Sequence, residues 1–112
     1  MKNKLLFYDK ENDILSIHHG FLSNEKFKGN IDAGQVILDI STKDKVCGIE
    51  IINASDFFEI YNLNQNDLSN LKDALFSVHK EPVGLIIEIL FNFKLKEVPV
   101  KIVLPLNKKL IC

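Results

Sequence analysis

Glu50 is the one charged residue in the apolar run Val46–Ile52, and Asn53 and Ser55 follow closely. A carboxylate so placed can act as a general base or as a ligand. With Asp39 upstream and one of the three histidines, it would complete a small hydrolytic or ligand-holding constellation. Its structural reading is an outer-face glutamate paired with lysine or capping a neighbouring backbone, and the residue types favour that reading. Asp9, Glu11 and Asp13 have the one-three-five spacing of a calcium loop, which then requires glycine at 14 and glutamate at 20. This chain has Ile14 and Gly20, so an Asx-type turn is the better account. His18 and His19 are adjacent, and neighbours on a strand point to opposite faces, so one ion cannot easily take both. No metal site and no cofactor are expected. Cys47, between Val46 and Gly48, reads as a small core residue rather than a nucleophile.

The elements that must position these groups are mostly strands. Lys4–Tyr8 and Ile14–His19 flank the turn residues DKEND. Gly20–Asn30 reads as a looser segment. Ile31–Ser41 is expected as a third strand, with Gln35, Ile37 and Asp39 on one face and Val36, Leu38 and Ile40 on the other. After the TKDK turn, Val46–Asn53 is the fourth, with Cys47, Ile49 and Ile51 opposite Gly48, Glu50 and Ile52. Short intervals favour an antiparallel meander. Ser55 is placed as the N-cap of a short helix. Leu68, Leu71 and Leu75 have the spacing of a second. Residues 74–80 fit helix or strand. From Val83 the chain alternates without a break to Leu95, and a second apolar face runs from Val98 to Leu106. Pro99 and Pro105 lack an N–H, so this last strand is expected to lie at a sheet edge or to pair mainly through its other residues. The expected class is therefore α+β and strand-dominated. It comprises an N-terminal four-strand meander, one or two short helices and a C-terminal hairpin. Residues 1–112 are expected as one domain, divided at 1–54, 55–73 and 74–106.

Composition narrows the function classes. The 112 residues are 46% hydrophobic and 26% charged, with eight phenylalanines and no tryptophan, the profile of an ordinary globular protein. Net charge is −1 and every basic residue is lysine. Without arginine's planar fork, a dedicated nucleic-acid surface is not expected. The longest apolar run contains Glu88 and is too short for a bilayer. The start of the chain lacks a secretory apolar core, and Cys47 and Cys112 do not form a disulfide framework. A cytoplasmic protein with reduced thiols follows as the expectation. There is no glycine-rich phosphate loop, nucleophile elbow or CxxC.

The segments FYDKENDILSI and GQVILDISTKDKVCGIEIINAS resemble the YuzE-like domains of unknown function, a family of small prokaryotic proteins. Tyr8, Asp9, Asp13, Leu15, Ile17, Asp39, Gly48, Ile49, Glu50, Ile51, Ala54 and Ser55 fit the family pattern. Ser16 stands where the pattern has an aromatic residue. The resemblance covers the first half of the chain. The second half resembles an extension in which a helical segment leads back into strands, which tips residues 74–80 toward strand. The family resemblance implies no assigned activity. Some members look like the antitoxin-side partner of small ribonuclease-like toxins.

Ile14, Ile37, Ile52, Ile86, Leu90 and Val103 fall on faces opposite the continuous apolar stripes. Such residues need cover, and an apolar patch of that kind marks an association surface. The leading expectation is a non-enzymatic interaction module that forms a homodimer or binds another protein. An antitoxin-like partner and a small hydrolase or ligand-binding protein are the alternatives. The candidate functional residues are Asp9, Asp13, His18, Asp39, Glu50 and Ser55.

Overall fold

The structure is a computed structural model that describes residues 5–105. Two compact units divide the chain after Ser69. The first holds five antiparallel strands: β1 (Leu5–Asp9), β2 (Ile14–His18), β3 (Phe27–Ala33), β4 (Val36–Ser41) and β5 (Val46–Ile52). The α+β, strand-dominated class is as expected, but the strand count and order differ from a four-strand meander. The order is β1-β2-β5-β4-β3. Three hairpin-linked strands, β3, β4 and β5, return beside β2, which makes a Greek key. β5, the strand that carries Glu50, is therefore central.

Two local features account for the difference. β3 begins at Phe27, inside the segment Gly20–Asn30 that was expected to be loose. The expected strand Ile31–Ser41 is instead cut by a two-residue hairpin, with Ala33 paired to Val36. Gly34 makes the cut with a φ of 81°, and the Asp32 carboxylate accepts its N–H at 3.0 Å. Glycine at the first central position suits the hairpin turn whose twist matches its strands. Further along, pairing of β4 with β5 slips between Asp39 and Ile40, and Cys47 becomes the extra residue of a bulge. The slip turns Ser41 inward, and Cys47, Gly48 and Ile49 are buried in succession.

One face of this sheet is core: Leu15, Ile17, Val36, Leu38, Ile49 and Ile51 are essentially inaccessible. Buried Ala54, Phe58, Leu63 and Leu68 come from the helical segment. That segment is shorter than expected. It holds α1 (Ala54–Phe57), a single 3-10 turn (Glu59–Tyr61) and α2 (Gln65–Ser69). The second helix does not extend along Leu71 and Leu75, because the chain enters the next strand at Asp73.

The second unit is a three-strand antiparallel sheet, β6-β7-β8, of β6 (Asp73–Glu81), β7 (Gly84–Asn92) and β8 (Glu97–Leu104). Residues 74–80 are strand, so the expected C-terminal hairpin gains a third member. Leu85, Ile87, Ile89 and Phe91 share a buried face with Val100, Ile102 and Leu104. Pro99 lies on β8, an edge strand, as its missing N–H requires. Val98 and Val100–Leu104 lie in the described strand, whereas Leu106 falls outside the described residues. No helix among the described residues is long and apolar enough to cross a membrane.

Candidate functional site

The outer face of the five-strand sheet gathers four of the six candidate residues. Register places Leu5, His18, Gly48, Asp39 and Asn30 in one row across the strands, and Phe7, Ser16, Glu50, Ile37 and Asp32 in the next. Asp9, Ile14 and Ile52 form a third. His18, Asp39 and Glu50 thus share one face around Gly48.

Gly48 is there because its neighbours leave no room for a side chain. A Cβ on Gly48 would lie 2.5 Å from His18 Cδ2 and 2.7 Å from Asp39 Oδ2. The imidazole and the carboxylate therefore converge over the glycine from the two flanking strands. The close approach at Gly48 and the bulge at Cys47 thus fall on adjacent residues. His18 Nδ1 accepts the Gly20 N–H at 2.8 Å, which leaves Nε2 to carry the proton of the neutral ring. Phe21 packs edge-on against the same ring at 5.0 Å. Asn30 Nδ2 donates to Asp39 Oδ1 at 2.5 Å. Asn30 was not anticipated; only the β3–β4 register brings it beside Asp39.

Among the described residues, Glu50 makes neither the lysine pair nor the backbone cap of its structural reading. No hydrogen bond or ion pair joins it to a described residue, and its cross-strand neighbours are Ser16 and Ile37. The five strands contain a single lysine, Lys28, which bonds to Asp44 at 2.6 Å.

Asp9, Asp13 and Ser55 do different work. Asp9 accepts the Asn12 side-chain amide at 2.8 Å and its backbone N–H at 3.1 Å, the expected Asx-type turn. Those bonds hold its carboxyl below the usual range. Asp13 sits at a φ of 56° and receives Tyr8 Oη at 2.5 Å, Ser55 Oγ at 2.7 Å and the Ser55 N–H at 3.1 Å. Its own carbonyl accepts the Ala54 N–H at 2.9 Å. The first turn of α1 is thus capped from 42 residues upstream. Ser55 is not the N-cap: Asn53 holds that position in the left-handed region without a side-chain cap bond. Burial pulls the Asp13 carboxyl upward, but the bonds from Tyr8, Ser55 and Gln65 outweigh it and hold it below the ordinary value. Burial and Asp13 together push the Tyr8 hydroxyl well up.

Cys47 is buried, and burial raises its thiol, so it is no ready nucleophile. Beside it lies a buried pair that nothing in the sequence signalled. Ser41 donates to the Glu25 carboxylate at 2.7 Å and accepts the Lys43 N–H at 3.1 Å. The Leu22 N–H and Ser41 hold the Glu25 carboxyl below its usual range. Among the described residues, no group of three histidine, cysteine or carboxylate side chains is arranged to hold a metal ion. His79 stands on β6, where it meets Glu88 at 3.1 Å.

The family description "Protein of unknown function (DUF2283)" matches residues 6–55. An uncharacterized protein of Methanocaldococcus jannaschii is 30% identical over 93 residues, covering 81% of this chain and 76% of the relative. The chain belongs to the DUF2283 family. The matched DUF2283 segment runs from β1 to the start of α1 and contains Asp9, Asp13, His18, Asp39, Gly48, Glu50 and Ser55. A protein of Methanosarcina mazei named "Putative hypoxanthine phosphoribosyltransferase" is 37% identical over 87 residues, covering 76% of this chain. The chain spans 66% of that relative's length. No solved structure matches the chain significantly.

Proposed function

We propose that this DUF2283 protein is a non-enzymatic interaction module that forms a homodimer through the outer face of its three-strand sheet. The observation that supports it is the composition of that face. Register sets Leu75, Leu90 and Pro99 in one row and His79, Ile86 and Val103 in another. Between them lies Ser77–Glu88–Lys101. Leu75 and Val103 are 44% and 53% exposed, and Ile86 and Leu90 are half-buried. Two largely apolar rows flank Glu88 and Lys101, and Asp73, Glu81 and Glu97 lie at the strand ends of the same face. A two-fold axis can set Glu88 of one copy against Lys101 of the other. Light scattering after size exclusion, across micromolar concentrations, tests this. A dimer is expected, and Leu90→Lys with Val103→Lys converts it to monomer while the far-UV circular dichroism is retained. A wild-type chain that stays monomeric throughout overturns the reading.

The convergence of His18 and Asp39 over Gly48, with Glu50 beside them, favours a second reading: a small ligand-binding or hydrolytic site. Glu50→Gln would then abolish ligand binding or turnover. The name of the Methanosarcina relative does not carry across on this face, whose fixed charges are carboxylates where a phosphoribosyl group would need a cradle for phosphate. The pattern from Tyr8 to Ser55 supports the YuzE-like group as the sharper family assignment, and the buried Cys47 thiol suits a reducing compartment.

A further inference from the structure

Both outer faces carry more acid than lysine, but they differ in one respect. Register sets Asp73, Glu81, Glu88 and Glu97 on the three-strand face together with Lys101. The charged groups at paired outer positions of the five-strand sheet are Asp9, Asp32, Asp39 and Glu50, with His18 among them and no lysine. The chain has fourteen lysines and a net charge of −1, so this one-sided charge is a property of the face rather than of the composition. Between the carboxylates stand Leu5 and Phe7, 66% and 62% exposed, and half-buried Ile14, Ile37 and Ile52. Glu50, near the centre, is half-buried and has no partner among the described residues.

We infer that this face docks a basic protein surface, one that presents lysine or arginine side chains interleaved with apolar ones. Charge chooses the occupant. A second copy of the same face would set acid against acid, and like charges across an interface are strongly disfavoured. Nucleic acid is repelled for the same reason. A basic partner supplies the counter-charge that Glu50 lacks, while its apolar side chains cover Phe7, Ile37 and Ile52. Five strands span about 19 Å, the scale of one side of a small transient interface. The inference rests on the interaction-module reading but uses a different surface from the proposed dimer.

The test is a titration of the full-length, nitrogen-15-labelled protein with two synthetic peptides of equal length, one alternating lysine with valine and one alternating glutamate with valine. The lysine peptide is expected to shift the amides of Ser16, His18, Asp39 and Glu50. Its affinity is expected to fall at least about tenfold between low and moderate salt, as screened charge pairs do. Asp39→Asn with Glu50→Gln weakens it by about tenfold, the effect of two partly exposed pairs. Glu50→Lys, at a half-exposed position, serves as an independent second variant and abolishes it. Equal binding of the glutamate peptide, shifts confined to the three-strand face, no binding, or unchanged affinity in both variants would each overturn the inference. Light scattering on the same samples reports the dimer separately, so a monomer that still binds the lysine peptide on this face refutes only the dimer.

Discussion

Asp13 shows how one carboxylate can join two distant pieces of chain. It closes the β1–β2 turn, anchors Tyr8 and caps α1. Asparagine tolerates its left-handed backbone, so Asp13→Asn removes the charge with little added strain. A loss of about 1–2 kcal/mol in urea unfolding is expected at neutral pH. The sign of its pH dependence follows from the depressed carboxyl. The carboxylate contributes fully above the unfolded-state value near 3.8, and the contribution fades as pH falls through the lower folded value. The gap between wild type and Asp13→Asn should therefore narrow in acid; a gap that stays constant down to pH 2 would contradict the assignment. Gly48 makes the opposite case, in which the residue matters for what it lacks. Gly48→Ala relieves chain entropy but drives a methyl into His18 and Asp39. A net loss of about 1–2 kcal/mol is expected. A heteronuclear spectrum should show the largest shifts at those two residues.

At the scale of elements, the bulge opposite Asp39 sets what each strand presents. Because Cys47 is the extra residue, Ser41 rotates into the interior, where its hydroxyl joins the loop at Glu25 to the β4–β5 turn. Ser41→Ala leaves these buried groups short of a partner and is expected to cost about 2 kcal/mol, with hydrogen exchange quickening at Lys43. Thermal melts that superimpose on wild type would show that the buried pair contributes nothing. The same bulge ends the register that began at Val36 and Ile51, so Gly48 comes opposite Asp39. The Greek-key return then seats β5 beside β2 and brings His18 to the other side of the same glycine.

For the whole molecule, the distribution of charge matters more than its total. Near-neutral composition conceals an acidic and apolar face on the five-strand sheet and, on the three-strand sheet, a face that sets one lysine among its acids. If these serve different partners, their energetics are separable, since sites with no shared partner are usually additive. Leu90→Lys with Val103→Lys should abolish the dimer yet leave the lysine-peptide affinity within about twofold. Coupled loss of both activities in that variant would point to a single shared surface.

Alternation of apolar and polar residues, a local property, already determined that the chain is strand-rich. It also determined that Cys47, Ile49 and Ile51 face the core, and that Ile14, Ile37, Ile52, Ile86, Leu90 and Val103 do not. Pro99 fitted an edge strand, whereas the hairpin at Gly34-Gln35 cuts what alternation reads as one strand. Strand order was not legible, because nothing in β2 says that its partner is β5 rather than β3. Nor was the cap on α1, since Asp13 reaches Ser55 only after 42 residues of chain have folded between them. Pairing partners are chosen by the packing of the whole sheet. That packing alone put His18, Asp39 and Glu50 on one face, left Glu50 without a lysine among the described residues and gathered Asp9, Asp32, Asp39 and Glu50 on a single side of the sheet.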